Sequence, residues 1–351
     1  EMTWSGGPGH MNTFNSPGIV SRNNKTLNDK SNTAKDKGMQ SYYELLSQEG
    51  GKDTISQFNH PGKTFGTFTD FAYWNPIVDQ RISLLEVGNG EGQIGAGGYY
   101  PSYEHYTTAQ DKGWHVAPTN NQDNHKGRWG NANDARDVIL TDNFTEEGIY
   151  EAIRALRMYA TEDKNLELGY TVNGQMMGSS ITEVPEKLDL EVTVNDPDKS
   201  DSISKVEVVV NSGKVVHTWS DPAELNQGSL SVTLDPDYSY YFIRVTEGDG
   251  DLAVTSPGIY GEVFESTLLL RDIFKLAVHK DNRLAQRNSV RLEELTDQRF
   301  IMLLKGLPFR AQTDRIFADL GITPHYIMEC DHLLRRELIN ANAGVTIASQ
   351  S

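Results

Sequence analysis

The sequence predicts a mixed fold in three consecutive regions: α/β over residues 1–165, β-sandwich-like over 166–262, and a small α/β unit over 263–351. Three observations carry this. Short apolar runs accompany one clear amphipathic helix in the first region. Apolar/polar alternation, interrupted at roughly ten-residue intervals by Asp, Pro, Gly or Asn, fills the second. Near residue 264 the composition shifts: residues 264–351 hold 12 basic against 11 acidic side chains, a net of +1, which leaves −18 for residues 1–263. All five Trp precede that point. A shift this sharp marks a domain boundary or an artificial join, expected at 261–264.

In the first region, residues 82–87 read as a buried strand and residues 144–160 as a helix. Ile149, Ile153 and Leu156 share one face of that helix, with Ala152 and Ala160 beside them. In the second region, residues 188–194, 206–210, 215–219, 230–234 and 240–245 alternate as half-buried strands do. In the third, apolar runs at 274–278 and 300–304 combine with helical stretches at 310–320 and 332–341 into a small α/β unit.

Bulk properties narrow the partners. A 37% hydrophobic content, 31 glycines and a mean hydropathy of −0.53 describe a polar, loop-rich chain. A net charge of −17 argues against a nucleic-acid partner, since phosphate binding needs clustered Lys and Arg. No apolar run approaches the ~18 residues of a membrane span, so no membrane insertion is expected. The single cysteine, Cys330, excludes an intrachain disulfide. There is no signal peptide and no initiator Met. Both ends, Glu1 on a Gly-rich motif and Ser351 after an apolar run, read as cut through structure.

The histidines carry the chemistry. His60 follows the apolar run 55–58 and precedes Pro61, which ends the strand and lets the imidazole project into a cleft. Asp123 and His125 stand two residues apart; in extended backbone both face one side and reach one metal ion. Carboxylate with neutral imidazole suits Zn, Mn or Fe. His10, after the Gly-rich stretch 6–9, and Glu1 are the next candidates. The plainer alternatives are a loop histidine at His60 and an Asx-turn at Asp123, given Asn120, Asn121 and Asn124 nearby. The pattern Gly90-x-Gly92-x-x-Gly95 is not a dinucleotide fingerprint, because Ala96-Gly97-Gly98-Tyr99-Tyr100-Pro101 cannot open a helix; a Tyr-rich flap is expected. The acidic loops Asp196-Pro197-Asp198 and Gly248-Asp249-Gly250-Asp251 lack the full calcium-loop spacing and read as turns.

Glu1-Met2-Thr3-Trp4-Ser5-Gly6-Gly7-Pro8-Gly9-His10, Phe58-Asn59-His60-Pro61, Asn120-Asn121-Gln122-Asp123-Asn124-His125 and the late helix at 145–160 resemble the PHP (polymerase and histidinol phosphatase) superfamily of metallophosphoesterases. That resemblance implies a β/α barrel missing its first strands. It also implies metal ligands Glu1, His10, His60, Asp123 and His125, two or three divalent metal ions (Zn, Mn or Fe) in the complete site, and a small phosphorylated substrate. A metal-bound hydroxide would be the nucleophile. Asn121-Gln122 stands where the family usually has Gly-Ser, and the opening His-x-His pair is missing, so hydrolysis in this chain is expected to be impaired. The stretch 240–257 resembles the β-rich domain that follows such domains in bacterial surface proteins, which implies an extracellular or cell-surface location for residues 1–262.

Residues 274–285, 292–297, 306–310 and 344–345 resemble the second half of a LysR-type regulator's effector-binding domain. This resemblance covers about 80 residues, implies a cytoplasmic small-molecule sensor with half of its cleft, and sets up two rivals to the hydrolase: a cell-surface binding module, and a sensing fragment of a transcriptional regulator.

Overall fold

A computed structural model of the chain describes residues 2–3, 8–18, 39–181, 183–198, 201–260, 274–305, 310, 313–314, 317 and 322–349. The chain divides into two compact units, unit 1 over residues 1–266 and unit 2 over residues 267–351.

Unit 1 begins with a six-stranded mixed sheet in the order β1 (Met2–Thr3), β2 (His10–Phe14), β3 (Ile55–Asn59), β4 (Ile82–Asn89), β5 (Tyr100–Pro101), with β6 (Ala117–Asn121) also paired to β4. Strands β3, β4 and β6 run parallel, whereas β1–β2–β3 and β4–β5 are antiparallel. Every residue of β3 and β4 is buried. Parallel strands covered on both faces need no polar alternation, which is why residues 82–87 read as a nearly continuous apolar run. The partial β/α barrel expected here is corrected. A barrel of that kind requires neighbouring strands to be parallel around a closed ring, and the antiparallel β2–β3 pairing leaves an open mixed sheet.

Large aromatics pack this part of unit 1. Trp114 meets Phe58 and Tyr43 edge-on, with ring centroids 5.2 and 5.7 Å apart, and its indole N–H donates to the Phe71 carbonyl at 2.8 Å. The bulk is thus buried with its one polar atom satisfied. Gly9 sits under Phe68, where an added Cβ would lie 2.2 Å from the ring.

The alternating strands form two further sheets. One is antiparallel and four-stranded: β10 (Gln175–Met176), β9 (Glu167–Val172), β12 (Leu188–Asn195), β15 (Ser229–Leu234). The other is eight-stranded. Its path is β11 (Ser180–Ile181), β18 (Gly258–Tyr260), β16 (Tyr240–Glu247), β17 (Leu252–Thr255), β8 (Met158–Thr161) and β7 (Arg136–Ile139). Strand β13 (Ile203–Val210) pairs with β16, and β14 (Lys214–Trp219) with β13. Val206, Val208, Tyr241 and Ile243 share a core with Leu190 and Val192 of the four-stranded sheet. The intervening Val209, Tyr240 and Phe242 join the core that holds Trp114. Period-two geometry therefore buries this sheet on both faces. It also continues across residue 165, because β7 and β8 from the first region pair into it.

The helix expected over 144–160 is shorter. It spans α-helix Glu146–Arg154, with the Thr145 hydroxyl accepting from the Gly148 N–H at 3.2 Å as its N-cap. Leu156 adopts φ 53°, which ends the helix, and Met158–Thr161 pairs between β7 and β17 instead.

Unit 2 contains β19 (Phe274–Ala277) antiparallel to β22 (Thr346–Ser349), and β20 (Arg299–Leu303) parallel to β21 (His325–Cys330). Its helix His332–Asn340 is capped by Asp331, whose carboxylate accepts from the Leu333 and Leu334 N–H groups. Phe300, Met302, Phe317, Val345 and Ile347 form its core. The strand and helix expectations at 274–278, 300–304 and 332–341 hold. Of the stretch 310–320, Arg310, Thr313, Asp314 and Phe317 are helical and the remainder lies outside the described residues, as does the join expected at 261–264.

Candidate functional site

Unit 1 has a cleft of about 400 Å³ at the carboxyl ends of its parallel strands β3, β4 and β6. Open sheets place ligand crevices there because the loops leaving parallel strands diverge. His60, directly after β3, and Asp123, two residues after β6, both line it. Both backbones are left-handed, φ 28° and 46°, a strained conformation for side chains of this kind. His10 on β2 meets His60 edge-on with ring centroids 5.0 Å apart, and the Phe65 ring lies 4.5 Å from that of His60.

His125 does not reach the cleft. Extended backbone would have put it on one face with Asp123. The left-handed turn at Asp123 instead folds the segment back, so that the His125 ring nitrogen bonds the Asp123 carbonyl at 2.7 Å and its side chain is 78% exposed. Glu1 lies outside the described residues. Among the described residues no group of three or more His, Cys, Asp or Glu is arranged to hold a metal ion.

A residue not singled out from the sequence dominates the cleft floor. Glu86 on β4 is 2% exposed. Its carboxyl accepts from the His60 backbone N–H, from Asn121 at 2.8 Å, from Asn89 at 3.1 Å and from Gln57 at 3.3 Å. Burial pushes this carboxyl up to about 8, and the donated hydrogen bonds only partly offset that. The signal available in the sequence was one charge inside the apolar run 82–87, since a lone acid on a doubly buried strand needs partners. Asn59, Asn89, Asn120 and Asn121 surround it, with Trp129 at the rim 81% exposed. The floor is thus an amide-rich hydrogen-bonding surface.

The expected flap holds in part: after Gly95 comes a turn and the short strand β5, and a helix begins only at Tyr103. No helix N-terminus is available there for a pyrophosphate.

Unit 2 has its own cleft of about 790 Å³, bounded by β19, β22 and the helix His332–Asn340. Leu276, Val278, Ile339 and Ala348 give it apolar walls; Lys280, Arg335 and Arg336 are its charged lining residues. No carboxylate is among its described lining residues, so its field favours an anion.

Comparison with known proteins bears on this second region. Residues 226–351 match the LysR substrate binding domain family. Two curated relatives from Bacillus subtilis (strain 168) are both named as uncharacterized HTH-type transcriptional regulators. YybE is 29% identical over 121 residues, 34% of this chain and 41% of its own; YwbI is 32% identical over 110 residues, 29% of this chain and 36% of its own. The chain thus spans about two fifths of the length of these relatives. Among solved structures, the QuiR effector binding domain in complex with shikimate is 18% identical, covering 26% of this chain and 46% of that one at a TM-score of 0.21. The BenM effector binding domain with benzoate is 24% identical, with the same coverages and TM-score.

These findings correct the metallophosphoesterase reading of residues 1–165. The family match is to the LysR substrate binding domain, the two Bacillus relatives are named as HTH-type regulators, and the sheet is open. They support instead the LysR-type resemblance of the last region. The matched span is longer than the 263–351 expected: residues 226–260 are built into unit 1 as β15 to β18. No helix among the described residues is long and apolar enough to cross a membrane.

Proposed function

We propose that the region matched to the LysR substrate binding domain senses a small anionic molecule, and that the cleft of unit 2 contributes the contacts. The family match over residues 226–351 carries this reading. The apolar walls and the cations Lys280, Arg335 and Arg336 support it, because a carboxylate on a small apolar body needs both. A sensing role of this kind goes with the cytoplasm, as expected from the sequence for residues 263–351. DNA binding belongs to the longer relatives and is proposed only for a protein that carries their remaining segments.

Calorimetric titration of the chain with a panel of small carboxylates tests this. At least one should bind, and R335A combined with R336A should weaken it by roughly tenfold or more, the loss of a charge-assisted contact. Unchanged affinity in the double variant, or no binding across the panel, defeats the proposal.

A second reading concerns unit 1. The His10 and His60 rings, 5.0 Å apart beside the cleft that Asp123 lines, favour one divalent ion (Zn, Mn or Fe) held by this pair. Glu1 and His125 are the further ligand candidates. Zinc titration of wild type against H60A checks it: equal binding by both rules the pair out.

A further inference from the structure

The cleft beside His60 offers more hydrogen-bonding groups than its own contacts use. Its three parallel strands each end on an asparagine: β3 on Asn59, β4 on Asn89 and β6 on Asn121. All three line the cleft, and Asn89 and Asn121 are register partners. Each commits one atom of its amide to the floor. Asn59 Oδ1 accepts from Gln57 at 3.0 Å, Asn89 Nδ2 donates to Glu86 at 3.1 Å, and Asn121 Nδ2 donates to Glu86 at 2.8 Å. The other atoms, Asn59 Nδ2 and the Asn89 and Asn121 oxygens, have no hydrogen-bond partner among the described residues, although Asn59 and Asn89 are only 3% and 6% exposed. Asn124, in the loop after β6, repeats this arrangement. Its oxygen accepts from the Lys126 and Arg128 N–H groups at 3.0 Å each, while its buried Nδ2 has no acceptor among the described residues.

The unsatisfied atoms are therefore donors and acceptors together, and that mixture selects the ligand. An anion would face the Asp123 and Asp137 side chains that share the cleft. A cation would serve the oxygens and leave the Asn59 and Asn124 donors unserved. A hydroxyl group both donates and accepts, so a ligand bearing several hydroxyls serves both kinds. Burial holds the Glu86 carboxyl up at about 8, which keeps the floor largely uncharged at neutral pH and suits a neutral ligand. Trp129 supplies the other half of the recognition. Its indole N–H donates to the Asn124 carbonyl at 3.3 Å, which tethers a ring that is otherwise 81% exposed at the rim. The electron-rich face of an indole attracts weakly positive C–H groups, and a sugar ring presents a face of them. A nucleobase needs apolar walls on both sides, whereas the other nonpolar lining residues here are Gly130 and Ala135.

We propose that this cleft binds a neutral saccharide of one or two rings, its hydroxyls held by Asn59, Asn89, Asn121 and Asn124 and its C–H face stacked on Trp129. The volume of about 400 Å³ falls toward the small end of ligand sites, roughly 300–1,000 Å³. The left-handed backbones of His60 and Asp123 beside these amides are of the kind that persists at ligand sites. The inference goes beyond both readings above and requires neither the cleft of unit 2 nor a metal ion.

The full 351-residue chain, with and without EDTA treatment, is titrated by calorimetry with glucose, galactose, mannose, N-acetylglucosamine, maltose and cellobiose, and with adenosine beside them. At least one saccharide should bind saturably at one site per chain, equally well after EDTA. W129A should weaken that binding by about tenfold through loss of the stacking face, and should keep the wild-type circular dichroism spectrum because the side chain is exposed. N121A should weaken it several-fold. F144A removes an aromatic ring that is 90% exposed outside the cleft and should keep wild-type affinity. No saccharide binding, or unchanged affinity in W129A, overturns the proposal. Adenosine binding tighter than every saccharide overturns the ligand class, and saccharide binding that EDTA abolishes assigns the contact to a metal ion and overturns the amide site. Zinc binding by the His10–His60 pair is read separately in the H60A titration, so either idea can fail without the other.

Discussion

The cleft beside His60 is lined by Glu86, Asp123, Asp137 and a set of asparagines, whereas the cleft beside the helix His332–Asn340 is lined by Lys280, Arg335 and Arg336. Each follows the charge balance of its part of the chain, −18 for residues 1–263 and +1 for residues 264–351. The difference teaches that one chain carries two clefts of opposite electrostatic character. The first is lined by carboxyls and amides with Arg136 beside them, the second by cations and apolar side chains. Their supports differ too. Unit 1 stacks its sheets through two large cores, while unit 2 rests on two small clusters, one around Phe300 and Phe317 and one of Ile301, Cys330 and Ile339.

The largest effects should come from breaking one unit and watching the other. Trp114 is 1% exposed and Phe300 is 0% exposed. W114A and F300A should each cost about 3–5 kcal/mol, the range for large-to-small core changes. Differential scanning calorimetry of the two variants should show separate transitions lowered in each case: unit 1 for W114A, unit 2 for F300A. A single shared transition in both would show that the units unfold as one.

A smaller effect should follow from Glu86. Its carboxyl is raised from 4.5 to about 8 in the folded chain. Between those values the native state holds a proton that the unfolded state has released. Stability contributed by this group is therefore fully present below about pH 4.5 and is lost as pH rises to about 8. Within that window the slope should approach about 1.4 kcal/mol per pH unit. E86Q, which mimics the protonated form, should lower the slope by about that amount in urea melts taken from pH 5 to 8, leaving the shares of other raised carboxyls such as Asp251 and Glu247. An unchanged slope would show that another group titrates there.

The smallest effects compare helix caps. T145A removes one hydroxyl acceptor, at 3.2 Å from the Gly148 nitrogen, and D331A removes a carboxylate that accepts twice. Both should cost about 1 kcal/mol, with D331A the larger because a charged acceptor also meets the helix dipole. Chemical denaturation monitored by circular dichroism checks the order.

Most strands of the second region were legible in the sequence, because their side chains alternate between a core and either solvent or a second core. The run 158–161 misled for a physical reason. Met158, Tyr159 and Ala160 continue an apolar pattern that helix and strand share, and only pairing with β17, far along the chain, decides between them. At the cleft, His60 was legible through Pro61. Glu86 was not, since its meaning depends on Asn89, Asn121 and Gln57 closing around it. The Asp123–His125 spacing was read on extended backbone, and the left-handed turn at Asp123 instead folds His125 back onto Asp123, with its ring 78% exposed.

By itself the sequence determined where the chain changes character, which residues alternate, and which segment resembles LysR-type domains, because charge, periodicity and local similarity are local properties. Only the tertiary structure decided that the first sheet stays open, that β7 and β8 join the sheet of the second region, and that Asn89, Asn121 and Gln57 close around Glu86. Those outcomes depend on pairing between residues distant along the chain, and such pairing is settled by burial and hydrogen bonding across the whole fold.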